Sequence, residues 1–108
     1  MTVDLSDRTH GGKIRNLSGK EAGEKARKHF DLDKLDKLDQ PILVKIPKDI
    51  YNISPSFFCG MFGKSFVSLG EEKLLSHYQF EEVPEYISEQ IYFGVKLCSE
   101  TFASQSNI

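Results

Sequence analysis

Read for its alternation of apolar and polar positions, the 108-residue chain divides into three strand-like runs, each followed by a helix-like one. "TVDL" near the start reads as a short first strand. The glycine-containing "SDRTHGGK" that follows reads as a loop, because Gly11 and Gly12 admit backbone shapes that other residues resist. "SGKEAGEKARKHF" has the form of a helix opened by a capping box, with Ser18 as cap and Glu21 three residues on. Ala22, Ala26 and Phe30 recur every four residues beside Gly19 and Gly23, a smooth stripe that suits close packing on a sheet. Leucines 32, 35 and 38 recur every third position, which fits a tight turn or irregular connection ending at Gln40-Pro41.

"ILVKI", residues 42–46, is the clearest strand: four of its five residues are apolar and three are β-branched, the pattern of a strand covered on both faces. Ser54 caps and Pro55 begins a helix running to Leu69, because proline has no amide hydrogen to lose at the first helical position. Phe58, Phe62, Phe66 and Leu69 form its apolar face, Phe57 and Met61 widen it, and Lys64 and Ser65 mark its solvent side. Gly70 ends this helix, "EEKLLSHY" forms a short one, and "QFEEV" alternates like an edge strand. A last helix after Pro84 carries Ile87, Ile91, Val95 and Cys98 on one side, with Phe93 and Leu97 extending the apolar surface. The expectation is a single small α/β domain over residues 1–100, with a mixed or parallel sheet in the order β-α-β-α-β-α and right-handed crossovers, and a flexible tail over 101–108.

Charge narrows the function classes. The net charge is −2, with nine Lys/Arg against eight Asp/Glu in residues 1–40 and two against seven in 71–108. A nucleic-acid binder carries a basic excess, so that class is disfavoured. Cys59 and Cys98 both fall in apolar stretches and read as reduced core thiols of a cytoplasmic protein; no charged leader or membrane-length apolar run appears.

Candidate chemistry is sparse. Gly63-Lys64-Ser65 ends like a phosphate-binding loop, but Phe58 stands where its first glycine is required and the match lies inside a helix whose amides are already bonded. His10, His29, His77 and the two cysteines have no metal-ligand spacing, and Ser54, Ser56 and Cys59 lack a context that supplies a base and an oxyanion hole, so neither a metal, a cofactor nor an enzymatic role is expected. The glycine-basic stretch Gly11, Gly12, Lys13 and Arg15 before the first helix suits an anion, and gives the alternative of a small enzyme or phosphometabolite-binding domain.

"ILVKI", "ISPSFFCGMFG" and the upstream "GGKIRNLSGKEAG" together resemble the STAS-type domains of bacterial anti-sigma factor antagonists, more closely their STAS-like subgroup with an I-S-S-S-F type segment at the central helix. The resemblance spans residues 3–97. It implies a small cytoplasmic signalling module that binds a histidine-kinase-like ATPase or an anti-sigma factor through the start of the central helix and is controlled there by serine phosphorylation. Aligned on that segment, Ser54 takes the place of the aspartate, Pro55 that of the acceptor serine, and Ser56 that of the next serine; Ile46 stands where an acidic residue commonly ends the strand. Ser54 and Ser56 are therefore the candidate phosphoacceptors, and Asp49, Tyr51, Asn52, Ser54 and Ser56 the expected partner surface. A homodimer through an edge strand or the last helix is a further expectation.

Overall fold

The computed structural model describes residues 1–9, 13–81 and 83–106. Strand β1 (Thr2–Asp4) leads through a 3-10 turn (Leu5–Arg8) to the two-residue strand β2 (Asn16–Leu17) and helix α1 (Lys20–Phe30). A one-turn helix α2 (Leu32–Leu35) precedes β3 (Ile42–Lys45) and β4 (Asn52–Ile53); then come α3 (Pro55–Leu69), α4 (Glu71–His77), β5 (Tyr78–Phe80) and α5 (Glu85–Ser106). The α/β class stands as expected, but the order holds more elements: nothing in the sequence pattern marks β2 and β4, since two residues are too few to show an alternation. Helix α5 runs through Ser106, well into the segment expected as tail.

The pairing is parallel throughout: β1-β3-β5 form one sheet and β2-β4 a second, two-stranded one. Because the three-stranded order advances in one direction, crossovers of one hand would place the helices on a single face. Burial follows suit. Val3, Ile42, Val44 and Tyr78 are buried, whereas Thr2, Leu43 and Gln79, in register on the other face, are not. This corrects the reading of residues 42–46 as a strand covered on both faces: its apolar run is longer than its buried set.

Helix α3 lies at the centre, flanked by α1 and α5, with the Phe62 ring edge-on to Tyr78 at 5.1 Å and Phe58 tilted against Phe80 at 6.2 Å. The small-residue stripe of α1 serves this helix rather than the sheet. A Cβ added at Gly23 would lie 2.1 Å from the Phe57 carbonyl oxygen, and one at Gly60 would lie 2.2 Å from that of Lys20, so the two backbones touch where both lack side chains. Ser18 does not cap α1: Gly19 occupies the cap with φ 92 and no side chain bonds the first amides. Phe93, expected on the apolar side of α5, is 54 % exposed. Among the described residues, no helix is long and apolar enough to cross a membrane.

Candidate functional site

The start of α3 is built by three elements. Ser54 has extended backbone and its Oγ accepts from the Phe57 amide at 3.1 Å, the N-cap arrangement expected, with Pro55 next. The same oxygen accepts from the Gly19 amide at 3.2 Å, so the starts of α1 and α3 meet on one hydroxyl. Ser54 in turn donates its amide to the Leu17 carbonyl at 2.8 Å, extending the β2-β4 ladder into the helix. From the opposite side, Gln90 of α5 offers Oε1 to the Ile53 amide at 2.5 Å.

Around this frame lie the residues expected to meet a partner. Buried Ile50 anchors the loop, leaving Asp49 exposed and Tyr51 59 % exposed on either side. The Tyr51 amide donates to the Arg15 carbonyl at 3.0 Å, and the Asn52 side chain donates to that of Asn16. Ser56 is half-buried, its Oγ 3.1 Å from that of Ser54. Among the described residues, the Oγ partners of these two serines are each other and the Gly19 and Phe57 amides.

Asp49, Tyr51, Asn52, Ser54 and Ser56 thus follow one another at the exposed tip of the loop and strand that enter α3. The β2-β4 ladder also brings exposed Arg15 beside Tyr51, joining two segments that the sequence offers as alternatives. Lys13 is exposed; Gly11 and Gly12, the glycines of the anion-binding alternative, lie outside the described residues. An open groove of about 490 Å³ runs from the tip along α1, lined in part by Arg8, Asn16, Ser18 and Lys25.

A second polar cluster, missed in the sequence, lies in the interior. Arg27 is buried in α1 and reaches across to α3, donating to the Met61 carbonyl at 3.0 Å and the Ser65 Oγ at 2.8 Å. Its other nitrogens hold Asp33 at 2.7 Å and Asp36 at 2.8 Å, and Asp36, its side chain 9 % exposed, also accepts from Ser65 at 2.7 Å and from the Tyr78 hydroxyl. The turn that brings both aspartates back over α1 is made at Asp31, which adopts the left-handed conformation (φ 54) that aspartate tolerates better than most.

Burial opposes the Arg27 charge, yet the bonds from Asp36 and Asp33 outweigh it and hold the guanidinium above its ordinary value. The bond from Arg27 draws Asp33 below the usual carboxylate range, while burial pushes the Tyr78 phenol up. Among the described residues, no buried side-chain polar atom here lacks a partner and Ser65 is fully buried, so the cluster ties α1, α2, α3 and β5 together. Placing Ser65 on the solvent side was therefore wrong. Its position, three after Phe62 and four after Met61, puts it on the apolar stripe, and that spacing was the available signal.

Comparison with protein-family models, with curated proteins and with solved structures finds no match to this chain.

Proposed function

We propose that this chain is a small regulatory interaction module that docks another protein on the tip formed by Asp49, Tyr51, Asn52 and the start of α3. The observation that carries the reading is the combination of an exposed tyrosine with a fixed backbone. Tyr51 presents its ring to solvent while its amide, those of Ser54 and Ile53, and the Ser54 hydroxyl are all bonded beneath it. A rigid aromatic beside polar groups loses little entropy on docking, which is why tyrosine so often anchors interfaces. The resemblance to STAS-like domains supplies the partner class, a histidine-kinase-like ATPase or an anti-sigma factor in the bacterial cytoplasm. The reading is that of a binding module, with no catalytic role.

Phosphorylation would act at Ser56 in this scheme. The Ser54 oxygen already accepts two amides that a phosphoester would disturb, whereas the Oγ of Ser56, in the first turn of α3, bonds among the described residues to Ser54 alone. A phosphate there brings a charge of about −1.5 to −2 to the positive end of the helix, which favours it locally and changes what a docked partner meets. Losing about 2.7 kcal/mol of partner affinity is a hundredfold switch.

Affinity purification from the native host tests the reading with three baits. The unaltered chain is expected to recover a kinase-like ATPase or an anti-sigma factor, Tyr51→Ala to lose it, and Val67→Ser, on the exposed side of α3, to keep it. Failure of the folded unaltered bait to recover either class refutes the assignment.

A further inference from the structure

Beyond the docking tip, we infer that α5 is the interface of a symmetric homodimer, with its outer stripe packed antiparallel against the same stripe of a second copy. Ile87, Ile91, Val95 and Cys98 turn inward, and Gln90 points to the tip, which leaves Glu89, Tyr92, Phe93 and Lys96 on the outward side. Tyr92 is 60 % and Phe93 54 % exposed, and their rings pack edge to face at 5.9 Å, a paired aromatic surface left open among the described residues. Beside it, Leu75 of α4 is exposed over an open groove of about 520 Å³, lined further by Ile91, Tyr92 and Val95. A lone aromatic at a surface needs no explanation; two adjacent ones, the first of them bordering an apolar groove, do.

What selects a second copy is the order of charges along the stripe. A two-fold axis crossing α5 between Tyr92 and Phe93 pairs each residue with the one equally distant on the other side. Tyr92 then faces the partner's Phe93, and Glu89 faces the partner's Lys96, twice over by symmetry. The helix face is thus complementary to itself in both shape class and charge, as an isologous interface requires. Lys96 already leans over the Tyr92 ring at 5.9 Å, so it lies on the same stripe as the aromatics it would flank. Glu85 and Glu100 meet as like charges in the same register, which favours crossed helices whose ends diverge over a side-by-side pair. A contact centred on two aromatics per protomer lies at the small end of interface sizes, so the expected dissociation constant is on the order of micromolar.

Sedimentation equilibrium on the full chain, from about 1 to 300 µM to bracket that constant, is the test. The unaltered protein is expected to move from 12.3 kDa toward twice that mass as concentration rises. Phe93→Asp, at an exposed position whose folding far-UV circular dichroism verifies, is expected to weaken association about 30-fold or more. Lys96→Glu sets Glu89 against a like charge and is expected to weaken it about tenfold, while Glu89→Lys combined with Lys96→Glu restores it to within about threefold. A strict monomer across the range overturns the inference. So does a dimer that Phe93→Asp leaves intact, or one that the charge exchange fails to rescue, since either places the contact elsewhere. None of these readouts involves the tip or its partner, so this inference and the docking proposal fail independently.

Discussion

Replacing Gly60 with alanine should separate backbone contact from helix propensity. In isolation the change favours a helix by about 1 kcal/mol. Here the new methyl would lie 2.2 Å from the Lys20 carbonyl oxygen and 3.1 Å from the Glu24 amide nitrogen, and both are backbone atoms that no rotamer change can move. Ordinary contact begins at 3.4 Å, so α1 must retreat from α3 by about 1 Å. Overpacking of this kind costs about 1–3 kcal/mol, and with backbone on both sides the upper end applies. The net expectation is a loss of about 2 kcal/mol, or about 8 °C in Tm for a domain of this size.

Gly63→Ala in the same helix is the matched control. Its methyl would meet the Phe102 ring at 2.8 Å, and a ring on the last helix can swing aside. Its propensity gain is the same, so its net effect should fall within about 1 kcal/mol of zero. Urea unfolding and thermal melts measure both, and amide exchange at Gly19 supplies a local probe, because retreat of α1 draws that amide from the Ser54 Oγ. If Gly60→Ala proves as stable as Gly63→Ala, the α1–α3 contact is not backbone-limited and the argument is refuted.

Other expectations concern the buried cluster and the cap. Arg27→Met leaves the Asp36 carboxylate buried without its cation and should cost about 3–5 kcal/mol in urea unfolding, with Asp36→Asn added on top restoring a substantial part. Tyr78 has its folded pKa raised above the ordinary 10.0 by burial first and then by Asp36, so its contribution is complete below pH 10 and is lost as pH rises beyond it. Tyr78→Phe should flatten that alkaline loss while lowering stability near pH 7 by about 1.5–3 kcal/mol, the worth of a hydrogen bond to a charged acceptor. Ser54→Ala removes the α3 cap and should cost about 1 kcal/mol, against no more than about 0.5 kcal/mol for Ser56→Ala, which caps nothing; equal losses would contradict the assigned roles.

Much of this architecture was legible where a single physical rule dominates. Ser54, Pro55 and Gly70 mark the ends of α3 because cap chemistry is local, and residues 55–69 form the helix their pattern predicts. The cap of α1 was misread by one residue, Gly19 at φ 92 standing there in place of Ser18, and its amide bonds the Ser54 hydroxyl, a partner 35 residues away that no local pattern contains. The tip was legible as a segment, but its union with Arg15 and Asn16 was not, since a two-residue parallel ladder leaves no periodicity to read. The Arg27 cluster stayed hidden for a related reason. Its charges sit among the many solvated ones of residues 20–37, and only the left-handed turn at Asp31 folds Asp33 and Asp36 back over the arginine.

The bond from the Ile53 amide to Gln90 has a consequence for how the molecule comes into being. Ribosomal synthesis is directional, and the strand that braces the proposed recognition surface waits for a side chain 37 positions downstream. A nascent polypeptide released from the tunnel through α4 would own the tyrosine and both serines yet lack the brace that steadies them. Competence to engage a partner would then arrive only with the last helix, so incomplete products would not compete with finished ones for it.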